Sequence, residues 1–101
     1  MRILLIEDDK VLQGVVQQSL TDKGHRVDVA GDLSAAKYMW HVQSYDAVLL
    51  DLNLPLNGQT NATQGSGLSL LRAARNRGDR TPVLVLTARN RTDERRSLIH
   101  I

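Results

Sequence analysis

Apolar residues fall into two alternating patterns along the chain. Ile3-Leu4-Leu5-Ile6, Ala47-Val48-Leu49-Leu50 and Val83-Leu84-Val85-Leu86 are short unbroken apolar runs, the pattern of strands buried on both faces of a parallel sheet. Val27, Val29 and Ala30 give a weaker strand. Between these runs the period lengthens. Val11, Leu12, Val15, Val16 and Leu20 make one helical stripe, with Asp9 as a cap and Gly24 as a stop. Asp32 caps a second helix that turns Leu33, Ala36, Met39 and Trp40 inward, and Leu68, Leu71, Ala74 and Arg75 pattern a third, ended by Gly78-Asp79. Pro82 introduces the fourth strand, and after Thr87 an arginine-rich segment begins a further helix. Strand and helix alternate at βαβ spacing, so the expected class is α/β, an open parallel sheet with helices on both faces.

Composition narrows this picture. With 101 residues, 42% of them hydrophobic, the chain has room for one domain with a modest core. It has no cysteine, which excludes disulfides and thiolate metal sites. The N-terminus turns acidic at Glu7, too soon for a signal peptide, and no stretch approaches a membrane span. No membrane partner is expected, and the expected location is cytoplasmic. Acids outnumber Lys and Arg before residue 51, whereas Arg72, Arg75, Arg77, Arg80, Arg89, Arg91, Arg95 and Arg96 all follow it. Three aromatic residues, none of them Phe, give these arginines no base-stacking platform, so the plainer reading is a solvated helix face.

The candidate chemistry lies in the acids. Glu7, Asp8 and Asp9 follow the first strand directly, and Asp51 follows the third. Neighbouring parallel strands deliver such residues to one edge of the sheet, where ligands of open α/β sheets collect. Carboxylates so close repel one another, and a hard divalent cation such as Mg²⁺ compensates them while leaving room for phosphate oxygens. Asp9 is expected to serve mainly as a helix cap. Thr87 ends the fourth strand in the same manner and offers a hydroxyl to a phosphoryl oxygen.

These residues resemble the receiver domains of two-component response regulators, most closely those carrying winged-helix DNA-binding domains. Arg2-Ile-Leu-Leu-Ile-Glu-Asp-Asp9 is similar to the family's opening strand and acid pocket. Tyr45-Asp-Ala-Val-Leu-Leu-Asp-Leu-Asn-Leu-Pro55 is similar to its phosphoacceptor segment, and Thr81-Pro-Val-Leu-Val-Leu-Thr-Ala-Arg89 to its switch strand. Gly67-Leu-Ser-Leu-Leu-Arg72 resembles the third helix. The resemblance implies a flavodoxin-like, doubly wound sheet in the order 2-1-3-4. It implies that Asp51 takes a phosphoryl group from the phosphohistidine of a sensor histidine kinase. Mg²⁺ would be held by Asp8, Asp51 and the backbone carbonyl of Asn53, with Glu7 completing the pocket and Thr87 following the phosphoryl group. DNA would be reached only through an effector domain that is not in this chain.

The sequence departs from the family in two places. Residues 56 to 66 form a polar, glycine-containing stretch about eight residues longer than the family's loop. At the other end, Arg96-Ser-Leu-Ile-His-Ile101 stands where the family continues to a fifth strand with a lysine before proline, then a fifth helix. As read, residues 1 to 101 form an incomplete receiver with the fifth strand and helix missing and the fourth strand left as an open apolar edge. Such an edge invites a homodimer or a domain swap. Loss of the lysine removes a phosphoryl stabiliser of a kind worth roughly 2.7 to 4 kcal/mol.

Two other functions compete with this reading. One is a degenerate receiver that docks to partners without being phosphorylated. The other is a haloacid-dehalogenase-like phosphatase, a turnover enzyme where the receiver reading expects only a self-phosphorylating acceptor, and it fits poorly because that family wants a second Asp where Asn53 stands. His25, His41 and His100 lack ligand spacing, Ser66 and Ser69 lack a nucleophile-elbow context, and Met39 with Trp40 reads as core.

Overall fold

The computed structural model describes residues 1–51, 66–87 and 97–100. In chain order the elements are β1 (Arg2–Ile6), α1 (Lys10–Asp22), β2 (Arg26–Ala30), α2 (Leu33–Val42), β3 (Ala47–Asp51), α3 (Ser66–Asn76), β4 (Val83–Thr87) and β5 (Ser97–His100). The sheet runs β2-β1-β3-β4-β5, with the first four strands parallel and β5 antiparallel to β4.

Burial explains the unalternated runs. Ile3, Leu4, Leu5 and Ile6 are each at most 5% exposed, because β1 lies between β2 and β3 and is covered on both faces. On one face Leu4, Ile6, Val48, Leu50, Val83 and Val85 meet Ala36 and Trp40 of α2 and Leu70, Leu71 and Ala74 of α3, forming the core. Helix α1 contributes nothing to that cluster. Its stripe of Leu12, Val16 and Leu20 is half-buried, and Val11 and Val15 are exposed.

Local chemistry sets the helix ends. One Asp9 carboxylate oxygen accepts from the backbone N–H groups of Val11 (2.9 Å) and Leu12 (3.1 Å), and Asp32 accepts from Ala35 N–H at 2.8 Å. Both caps are those expected. Helix α1 terminates at Gly24, whose φ of 91° lies in the left-handed region open to glycine. In α3 the buried positions are Gly67, Leu70, Leu71 and Ala74, whereas Leu68 and Arg75 are half-buried, so the inward stripe sits slightly rotated from the expected one. Helix α3 also begins at Ser66, one residue inside the polar stretch assigned to a loop. The rest of that stretch, the segment after Thr87 up to residue 96, and Ile101 lie outside the described residues.

At the edge of the sheet opposite the acids, a polar clamp joins β1, β2 and the residues leading into β3. Arg2 N–H donates to Asp46 Oδ2 (2.7 Å) while Asp46 N–H donates back to Arg2 O (2.8 Å). Tyr45 donates its hydroxyl proton to Asp28 Oδ2 at 2.9 Å, and Arg2 Nη2 lies 3.4 Å from the same oxygen.

One expectation is corrected. The parallel order 2-1-3-4 is as read from the sequence, but β4 is not an open edge, because β5 pairs with it from Leu84↔His100 to Thr87↔Ser97. An antiparallel return needs only a short connection, unlike a parallel crossover. Leu98 and Ile99 supply residues suited to a strand. Beyond β4 the described sheet therefore continues to a four-residue strand, and β4 is paired on both sides.

Two titrations test this packing. Burial alone would raise the Asp79 carboxyl, but hydrogen bonds from Thr81 Oγ1 (2.6 Å) and Thr81 N–H (2.9 Å), together with Arg77, hold it below the usual carboxylate value. A depressed folded pKa contributes stability that is full above the unfolded pKa and lost as pH falls through the folded one. Urea unfolding should show Asp79→Asn less stable than the parent at neutral pH, with the gap closing in acid; a gap independent of pH would refute the linkage. Burial, then the bond to Asp28, pushes Tyr45 from 10.0 up to about 12. A raised phenol pKa contributes stability that is full below the unfolded value and lost as pH rises through the folded one. Alkaline titration followed by phenolate absorbance should show a late phase that Tyr45→Phe removes.

Candidate functional site: an acid cluster at the strand ends

Glu7 is the first residue beyond β1, yet its backbone stays in the sheet, its N–H donating to Ala30 O at 3.0 Å at the end of β2. Its carbonyl accepts from the side-chain amide of Gln13, one turn into α1, and its Oε2 accepts from Asp9 N–H at 3.1 Å. Helix α1 and β2 thus fix Glu7 from two sides. Asp51 is the last residue of β3. Because Ile6 is level with Leu50 in the β1/β3 ladder, the next step brings Glu7 level with Asp51.

The two differ from their neighbour in exposure. Glu7 and Asp51 are at most 1% exposed, whereas Asp8 is exposed. One carboxylate oxygen from each of Glu7, Asp8 and Asp51 lies within 4.8 Å of the others, the one such cluster of candidate metal ligands among the described residues. At that separation two ionised carboxylates repel by about 3 kcal/mol at an effective dielectric constant of about 20. Desolvation of the buried pair adds to that cost. The donors are all oxygens, and the exposed position of Asp8 leaves the cluster open to water on one side. That set suits a hard cation that keeps part of its hydration shell, as Mg²⁺ does, and suits a thiophilic or imidazole-seeking metal poorly.

The other anticipated residues separate into three groups. Asp9 is spent on the α1 cap, as expected. Thr87 closes β4, one step beyond Leu86, the partner of Asp51 in the β3/β4 ladder, so its backbone stands at the same end of the sheet. Asn53 lies outside the described residues. Among the arginines after Asp51, Arg75 donates to the Asp79 carbonyl (2.8 Å), and Arg77 lies 3.5 Å from the Asp79 carboxylate with its guanidinium over the Trp40 ring. Both close the end of α3, in keeping with a solvated, structural helix face. No described helix is long and apolar enough to cross a membrane.

Gln13 was not anticipated. Its only sequence signal is its place one turn after the Asp9 cap, which brings its amide back over the end of β1. Gly31 lies beside it, since a Cβ built there would come 3.6 Å from Gln13 Nε2.

Comparison with known proteins agrees with this geometry. Residues 3–101 match the family model of the response regulator receiver domain. The chain is 41% identical over 95 residues to the transcriptional regulatory protein QseB of Escherichia coli O157:H7, covering 94% of this chain and 40% of QseB. It is 39% identical over 92 residues to the transcriptional regulatory protein DltR of Streptococcus agalactiae, covering 91% and 38%. The chain therefore spans about two fifths of the length of these relatives. Among solved structures, the receiver domain of a sensor histidine kinase from Pseudomonas aeruginosa, with a magnesium ion coordinated in its active site cleft, superposes with a TM-score of 0.71 at 36% identity, covering 90% of this chain and 70% of that one. By its strand order, by the acids that order brings together and by its relatives, the chain belongs to the response regulator receiver domain family.

Proposed function

We propose that Asp51 is the phosphoacceptor of a two-component response regulator and that the phosphorylated domain controls transcription through a DNA-binding region, of the winged-helix type, outside this chain. The observation that carries this reading is the convergence of Glu7, Asp8 and Asp51 at the carboxyl end of the sheet. The transcriptional half rests on relatives such as QseB and DltR, which are transcriptional regulatory proteins.

In the proposed reaction an Asp51 carboxylate oxygen attacks the phosphorus of a phosphohistidine on a sensor histidine kinase. The new O–P bond forms as the P–N bond breaks, leaving an acyl phosphate on Asp51 and a neutral imidazole on the kinase once its proton balance is restored from solvent. Glu7, Asp8, Asp51 and the backbone carbonyl of Asn53 would hold Mg²⁺, which when bound neutralises charge on the transferred group and the attacking carboxylate. The magnesium in the related Pseudomonas domain supports that assignment. The chain's own contribution is positioning: the β1/β3 ladder fixes Asp51 beside Glu7, and Gln13 and Ala30 hold Glu7 in place. The Thr87 hydroxyl donates to a phosphoryl oxygen and reports its presence, a local event that biases a two-state element. The domain is a signalling component that modifies itself, and water later removes the group.

Incubation with acetyl phosphate and Mg²⁺ should add one phosphoryl group per chain by intact mass. Asp51→Asn should abolish that addition, as should chelation of the metal. A parent protein that stays unmodified, or an Asp51→Asn variant that is still labelled, would count against the reading. In calorimetric titration with MgCl₂, Asp8→Asn should weaken binding by about tenfold or more, equivalent to about 1.4 kcal/mol.

A further inference from the structure

Helices α2 and α3 leave between them an open groove of about 500 Å³. On the α3 wall the stripe at every fourth residue is Ser69 and Ala73, continued just past the helix by Arg77, and the first two side chains are too small to fill the gap. On the α2 wall Lys37, Tyr38 and His41 stand along the opposing side, and Leu33 and Leu70 contribute apolar surface. Tyr38 is 68% exposed, far more than an aromatic ring with a packing role requires, and Lys37 and His41 are exposed beside it.

The electrical character of the groove is one-sided. Basic side chains flank it on both walls, Lys37 and His41 from α2 and Arg77 from just past the end of α3, and no acid among the described residues lines it. Arg77 is held by the Asp79 carboxylate and by the Trp40 ring, which fixes it in position and offsets part of its charge. Lys37 takes part in no ion pair identified among the described residues. An exposed tyrosine and a pinned arginine beside an apolar trough are the side chains that dominate binding energy at protein interfaces. The space between two helices suits an apolar anchor from a further helix.

We propose that the α2/α3 groove docks an acidic, amphipathic helical segment of a partner protein, with an apolar side chain in the trough between Leu33, Leu70 and Ala73 and acidic side chains on Lys37, His41 and Arg77. This surface is separate from the acid cluster, so the proposal stands or falls independently of phosphorylation at Asp51. Charge complementarity selects this occupant. A second copy of the chain would have to bring an acidic surface to the groove, and a flat lipid surface would leave the trough unfilled.

The test uses the full chain, ¹⁵N-labelled, with a helical peptide probe carrying leucine at three- and four-residue spacing between glutamates, and a control in which lysine replaces every glutamate. The glutamate peptide should bind in a saturable manner, read by fluorescence anisotropy, and shift amide resonances of α2 and α3. Lys37→Glu with His41→Glu should weaken it about tenfold. Ala73→Trp should block the trough while leaving the charges in place. These positions are exposed, and unchanged amide spectra elsewhere would establish that the variants fold. Equal binding of both peptides, shifts confined to other surfaces, undiminished binding by either variant, or a preference for anionic lipid vesicles or an oligonucleotide over the glutamate peptide would each overturn the proposal.

Discussion

The parallel ladder between β1 and β3 governs what the rest of the molecule can do. From Ile3↔Ala47 to Ile6↔Leu50 the two strands run level and in the same direction. Whatever follows Ile6 must therefore emerge beside whatever ends β3. A slip of one residue would turn Leu4 and Ile6, or Val48 and Leu50, away from α2 and α3. The same slip would separate Glu7 from Asp51. Core and acid cluster thus depend on one register, and the reciprocal hydrogen bonds between Arg2 and Asp46 pin it at the far end.

That dependence explains how a small sheet tolerates two buried acids. Glu7 and Asp51 are covered as completely as the leucines around them, an arrangement that carries desolvation and repulsion costs. The apolar faces of β1, β3 and β4 hold the acids together, and the backbone of Glu7 is tied down by Ala30 and Gln13. A cluster held at such a cost is set up to gain from a cation, because the protein spends little reorganising when one arrives.

Much of the fold could be read in the sequence because its cues are local. The unbroken runs of β1, β3 and β4 report burial on both faces, and Asp9, Asp32, Gly24 and Gly78 mark helix ends by side chain or backbone conformation alone. Placing the acids also needed only strand ends and parallel order. What escaped depends on distant partners. The Tyr45–Asp28–Arg2 clamp joins β1, β2 and the entry to β3 with no pattern in any one of them, and Gln13 resembles any polar helix residue until the end of β1 is placed beneath it. The inward stripe of α3 was read slightly rotated because a buried glycine, Gly67, carries no hydrophobic signal. Strand β5 was missed because Ser97–His100 is too short to show alternation and takes its identity from its pairing with β4.

The antiparallel edge also bears on how the chain reaches this structure. β4 and β5 join partners as near in sequence as Thr87 and Ser97, whereas β1 must find β3 across three intervening elements, Ile3 meeting Ala47. Loop-closure entropy rises by about 0.6 kcal/mol for each doubling of the span. The local pair is thus cheaper to close by roughly 1 kcal/mol and contributes low contact order to a topology otherwise rich in slow, non-local pairing. A strand at the border of the described sheet can therefore shield β4, among the most apolar stretches of the chain, while the parallel ladders are still being assembled.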